Sequence, residues 1–235
     1  MKVIDIKGPI VSSSDYWIYE WLGIEAACPK VVNKTLKGLN GEDITVEINS
    51  GGGSVFAGSE IYTSLKDYKG KVTVKIVGLA ASAASVIAMS GDVIIMSPTA
   101  QLMIHNASTR MQGDYRDMEH TAEFLKGVNE SISNAYKIKS GLTTDELLTL
   151  MDNETWMTSK QALELGLIDE IMFKNEATQL TASTITAGMI PHHVINKLRS
   201  TLKKEGNQEE NAAIEQELKN KLKQLDLKFT IKGLK

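Results

Sequence analysis

Residues 42–68, EDITVEINSGGGSVFAGSEIYTSLKDY, run a β-rich stretch into three consecutive glycines and out into a helical pattern, and this order constrains the fold more than any other feature. A strand that turns at once into a helix supplies the crossover that a parallel neighbour requires. Strand signal here is EDITVEIN; the helix that follows, VFAGSEIYTSLKDY, puts Val55, Ile61, Tyr62 and Leu65 on a common side.

The same alternation runs along the chain. KVIDIKGPI alternates like a strand, SSDYWIYEWLGIEAACPKVVNKTLKGL has helical spacing broken near Pro29, and KVTVKIVG, DVIIMSP and AQLMIH read as strands. Tyr115 to Ser140 has the pattern of a long amphipathic helix, with Met118, Phe124, Leu125, Val128, Ile132 and Tyr136 on its apolar stripe. TTDELLTLMD and TSKQALELG are shorter helices, each opened by threonine. Strands alternating with helices predict an α/β fold with a mostly parallel sheet and crossover helices. The main domain is expected over residues 1–175. A Thr-rich polar linker over 176–206 and a charged amphipathic tail over 207–235 follow, the tail carrying Ile214, Leu218, Leu222 and Leu225 at helical spacing.

Composition bounds the function. A net charge of −3 over 235 residues asks for neither nucleic acid nor an anionic membrane. No uninterrupted apolar run approaches the roughly 18 residues of a spanning helix. Cys28 is the one cysteine and has no internal disulfide partner, and the four histidines are dispersed, with His192 and His193 in the tail, so no metal-ligand cluster is visible. The expectation is a soluble, cytoplasmic protein without a cofactor.

Three local features bear on chemistry. The glycines at 51–53 allow backbone N–H groups to face an anion, although such a triplet equally serves as a tight turn. A Walker phosphate loop is excluded, because no Gly-Lys-Ser/Thr follows. In VGLAASAASVIAM a strand gives way to a helix among small residues, and Ser82 sits at the turn, where its hydroxyl and the next N–H share one space. Acyl transfer asks for that pairing of nucleophile and oxyanion donor, while helix capping and close packing of small residues ask for the same residue types. Of the core histidines, His105 closes the strand LMIH, where active-site groups of α/β folds gather; His120 lies in a charged helical stretch.

INSGGGSV, GLAASAASVIAM, MIHNAS and TWMTSKQALELGLIDEI resemble, in order and separation, the motifs of the ClpP serine peptidases over about residues 1 to 173. The resemblance implies a serine endopeptidase with Ser82 as nucleophile, His105 as general base, and the N–H groups of Gly52 and Ala83 as oxyanion donors. It leaves Ser85 to helix packing. The triad acid of typical members is an aspartate, and the matching position here is Glu154, two residues before Trp156, with Asp152 a nearby competitor. Gly51 stands where the family has a proline. The first strand opens at Lys2, without the N-terminal extension that meets an ATP-driven unfoldase, so docking of an unfoldase is not expected. The short start, ETWMT and the charged tail are similar to ClpP-like head maturation proteases of tailed phages and prophages, whose substrates are capsid and scaffold proteins. The family's long helix interlocks two rings, so a homo-oligomeric ring is implied, with Tyr115 to Ser140 as that helix. The crotonase superfamily, which shares the fold and holds thioester enolates, a non-catalytic scaffold or capsid-assembly protein, and a serine–lysine peptidase are the other readings open to the chain.

Overall fold

The computed structural model of the chain describes residues 2–173. The linker and tail expected beyond residue 175 lie outside the described residues. In chain order the elements are β1 (Lys2–Lys7), α1 (Tyr16–Leu22), α2 (Pro29–Lys37), β2 (Ile44–Ser50), α3 (Val55–Lys66), β3 (Val72–Ala81), α4 (Ala83–Ala88), β4 (Val93–Met96), β5 (Gln101–Ile104), α5 (Tyr115–Ser140), α6 (Thr144–Asp152), β6 (Thr155–Thr158), α7 (Ser159–Glu164) and β7 (Glu170–Ile171). The sheet has seven strands, with β1-β2-β3-β4-β7 in parallel order. The expected α/β class with a mostly parallel sheet is what the chain adopts.

Strand β3 is the hinge of the architecture. Its first half, Thr73–Ile76, pairs with β4, whereas Leu79–Ala81 pairs with β5, so the sheet divides along one long strand. Strand β5 carries β6 antiparallel on its other side, from Gln101 opposite Thr158 to Ile104 opposite Thr155. Ile44, Val46, Ile48, Val74, Ile76, Ile94 and Met96 are fully enclosed, as parallel strands covered by crossover helices should be. Helix α3 starts where Ser54 caps it by accepting from the Ala57 N–H, and it turns Ile61 and Leu65 inward, with Val55 and Tyr62 half-buried beside them.

The segment between β1 and β2 forms two helices that part just before Pro29, as the broken spacing predicts. Helix α1 ends at Gly23 in the left-handed region, and α2 opens with Pro29 in its first turn, where proline's missing N–H costs nothing. Helix α5 runs over the expected span, opened by the Asp114–Asp117 capping box and closed by Gly141. Thr143 and Thr158 cap α6 and α7 with reciprocal boxes. The apolar stripe of α5 is covered only toward its C-terminal end: Ile132 and Tyr136 are buried, whereas Phe124 is 56% exposed.

Candidate active site

Four chain segments leave the carboxyl ends of neighbouring parallel strands and converge there: Gly8–Ile10 after β1, Gly51–Gly53 after β2, Ser82 after β3 and His105 after β5. This is where open α/β sheets collect their ligands. Ser82 has φ 56° and ψ −127°, a conformation that L-residues rarely adopt. The turn is held from both directions, since the Ser82 N–H donates to the Met103 carbonyl across the sheet and the Ser82 carbonyl receives the N–H of Ser85. A non-glycine residue kept in such a conformation costs on the order of 1–3 kcal/mol and persists only where the surroundings over-determine it.

The Ser82 hydroxyl meets the His105 ring: Nε2 and Oγ are 2.8 Å apart. His105 owes its place to the short pairing of β5 with β3, which ends at Met103 and releases the chain just beyond Ile104. The two side chains border a hollow with Val55, Val86, Ile132 and Tyr136, which is apolar on the side away from the histidine.

The acid candidates take different partners. Glu154 lies in the turn after α6 with φ 46°, immediately before Thr155, and Thr155 pairs with Ile104, the residue before His105. Its carboxylate, however, accepts from the Trp156 indole N–H at 3.2 Å and makes no hydrogen bond to His105. Asp152 accepts from the Asn106 amide at 2.7 Å. The structure therefore brings Ser82 and His105 into contact and leaves neither Glu154 nor Asp152 bonded to the imidazole. Asn106, which the sequence reading passed over, is the residue that occupies Asp152; its position directly after His105 in MIHNAS was the available signal.

The glycine turn lies against the serine. Gly52 has φ 98°, and a Cβ there would stand 2.6 Å from Ser82 Cβ and 3.1 Å from the Ala83 nitrogen, so only glycine permits this approach. The Gly52 N–H donates to Ser50 Oγ at 3.1 Å, and Ser50 in turn donates to the Gly8 carbonyl at 2.6 Å. Sequence reading missed Ser50, a buried hydroxyl one residue past the strand read as EDITVEIN.

Ser85 is more than packing. It is fully buried, donates to the Ser82 carbonyl at 2.6 Å and meets the Tyr136 hydroxyl at 2.8 Å. Burial holds the Tyr136 phenol well above its ordinary pKa, against a smaller opposing effect of the bond to Ser85, so the phenol stays protonated at working pH. Among the described residues no group of His, Cys, Asp and Glu is arranged to hold a metal, and no helix is long and apolar enough to cross a membrane.

A family model described as Clp protease matches residues 30–175. The chain belongs to the Clp protease family. It is 35% identical over 136 residues to an ATP-dependent Clp protease proteolytic subunit of Bacteroides fragilis, covering 57% of this chain and 66% of that protein. The subunit of Porphyromonas gingivalis is 35% identical over 137 residues, covering 57% and 62%, and that of Deinococcus radiodurans 32% over 133 residues, covering 56% and 65%. The matches thus span somewhat less than two thirds of each of these curated relatives. The matched stretch contains Gly52, Ser82, Ala83, His105 and Glu154, so the convergence of glycine turn, serine turn and strand-end histidine lies within the family's own span.

Proposed function

We propose that the chain is a serine endopeptidase that cleaves peptide bonds through an acyl-enzyme, and the observation that carries this reading is the 2.8 Å contact between Ser82 Oγ and His105 Nε2 at a strained serine turn. In this reading Ser82 Oγ attacks the scissile carbonyl carbon while its proton passes to His105 Nε2. The tetrahedral oxyanion lies between the Ala83 N–H and the Gly52 N–H, the latter leaving or sharing its bond to Ser50. The C–N bond then breaks as His105 returns the proton to the departing amine, leaving an ester on Ser82. Water repeats the sequence in reverse: His105 takes its proton, its oxygen attacks the ester carbon, and Ser82 leaves with the proton restored.

Glu154 is assigned the role of triad acid; its place next to Thr155, the partner of Ile104 across β5 and β6, supports this, as does the hold of Asn106 on Asp152. Its carboxylate has to exchange the Trp156 indole for the imidazole N–H at Nδ1, a side-chain rotation that leaves the backbone in place. A glutamate in this role orients the imidazole and stabilises its cation as an aspartate does.

The finer reading is a head maturation protease of the phage or prophage type, acting on capsid or scaffold proteins as a homo-oligomeric ring in the host cytoplasm. ETWMT, the charged tail and the uncovered apolar stripe of α5 support it. The deciding experiment is labelling with a fluorophosphonate probe together with hydrolysis of a casein-type protein substrate. Wild-type protein is labelled at Ser82 and active, while Ser82→Ala and His105→Ala each lose at least about a thousandfold in kcat, and combining them loses no more. Activity that survives in Ser82→Ala overturns the reading.

A further inference from the structure

Tyr136 and Ser85 are buried polar groups that the reaction as written does not use, and they lead straight to it. Ser85 carries one hydroxyl proton, and its oxygen lies 2.6 Å from the Ser82 carbonyl, which can only accept; that proton is therefore committed to Ser82. The Ser85 oxygen is left as acceptor for Tyr136, whose hydroxyl stands 2.8 Å away and whose side chain is only 1% exposed. The chain of donation runs Tyr136 O–H to Ser85 Oγ–H to the Ser82 carbonyl, from the long helix α5 to the serine turn.

The carbonyl of Ser82 and the N–H of Ala83 are opposite ends of one planar peptide group. Whatever fixes the direction of that carbonyl fixes the direction of that N–H. The same carbonyl also receives the backbone N–H of Ser85 at 2.9 Å and of Val86 at 3.3 Å, so the first turn of α4 sets its coarse direction. The hydroxyl pair adds the shortest of these bonds and ties it to an element outside α4. Donation into a peptide carbonyl also polarises the group and strengthens its N–H as a donor.

We infer that Tyr136 and Ser85 are positioning residues for the oxyanion site, a buried hydroxyl relay through which helix α5 holds the Ser82–Ala83 peptide with its N–H aimed at the reacting carbonyl. The inference rests on the peptidase reading and goes beyond it, since the relay acts through the Ser82–Ala83 peptide. It also explains why a phenol is enclosed in the apolar end of α5, where a phenylalanine would fill the same volume without a polar atom to satisfy.

The test is kinetic. Tyr136→Phe and Ser85→Ala are compared with wild type for kcat and KM on a peptide substrate, for inhibition by a peptide boronic acid that forms a tetrahedral adduct on the serine, and for thermal unfolding. In each variant kcat and boronate affinity fall together by about tenfold, a fraction of what losing an oxyanion donor costs, while KM stays within about twofold. The double variant is no worse than either single one, because both interrupt one relay. Tyr136→Thr, which removes the ring but keeps a hydroxyl out of reach of Ser85, is no better than Tyr136→Phe. Should Tyr136→Phe not fold, Ser85→Ala, which removes one oxygen from a run of small residues, carries the comparison. A wild type that neither reacts with fluorophosphonate nor turns over peptide overturns the peptidase reading and this inference with it. An active wild type matched within about twofold in kcat and boronate affinity by both single variants overturns the relay alone. So does a fall in KM-linked binding equal to the fall in kcat, the mark of a merely structural defect.

Discussion

At the scale of single residues, the site depends on three backbone conformations that ordinary side chains avoid: the left-handed glycine at 52, Ser82 at φ 56° and Glu154 at φ 46°. Two of these are not glycine, so the cost is borne by the surrounding hydrogen bonds, and Ser82 meets His105 directly. The competition between Glu154 and Asp152 is settled by function. In the proposed triad, replacing Glu154 with Gln removes the charge assigned to orienting the imidazole and is expected to lower kcat by about three to four orders of magnitude. Asp152→Asn leaves the Asn106 contact available and is expected to change kcat less than about threefold. Steady-state kinetics on the two variants gives the answer, and the opposite ranking would transfer the role to Asp152. Most of this was legible residue by residue: Ser82, His105 and Gly52 stand out in the chain because a hydroxyl, an imidazole and a glycine run interrupt apolar strands. Ser50, Asn106 and Tyr136 were not, because a polar atom inside an apolar pattern declares itself only when its partner is known.

At the scale of elements, close packing of α4 on α3 seats a short helix of small residues. Gly58 of α3 packs on Ala83, and a Cβ at 58 would stand 3.0 Å from that of Ala83, so small residues on both sides let the helices approach. Tyr136 enters the same region from α5 and gives it a pH dependence. A tyrosine exposed in the unfolded chain titrates near pH 10, whereas burial raises the folded value, so between the two the unfolded chain has lost a proton that the folded one keeps. This contribution is whole below about pH 10 and declines as pH rises toward the folded value, by at most about 1.4 kcal/mol per pH unit. Urea unfolding of wild type between about pH 9 and about pH 11.5 is therefore expected to show a steeper alkaline loss than Tyr136→Phe. Tyr16 and Tyr62, also raised by burial, are common to both proteins and cancel in the difference. Parallel curves would contradict the burial argument.

At the scale of the whole molecule, the uncovered surface is informative. Between α3 and α5 lies a groove of about 450 Å³ lined by Val55, Phe56, Phe124, Val128 and Ile132, and its two phenylalanines are 66% and 56% exposed. A helix of 26 residues whose apolar stripe is buried at one end only is built to be covered by something else. A ring of identical chains meets that need in the proposed function, with activity dependent on assembly because the groove shares Val55 and Ile132 with the hollow beside the serine. Substituting Asp for both Phe124 and Leu125 places unpaired charge in that contact, which costs at least several kcal/mol, and is expected to dissociate the particle and silence it. Light scattering beside a peptidase assay checks this, and a wild type that is monomeric yet fully active at working concentration refutes assembly without touching the serine–histidine pair.

The order of strands and helices, the long helix from Tyr115 to Ser140, the threonine caps and the small-residue serine turn were determined by the sequence, because each rests on local rules of periodicity, capping and steric size that act over a few residues. The division of the sheet along β3, the pairing of β5 with β6 that sets Thr155 opposite Ile104 and the contact of the Tyr136 hydroxyl with Ser85 were decided by the tertiary structure. Each of these joins residues far apart in the chain. Pairing at that distance is selected by how apolar surface and polar groups are satisfied together across the whole core, and no window of sequence contains that sum.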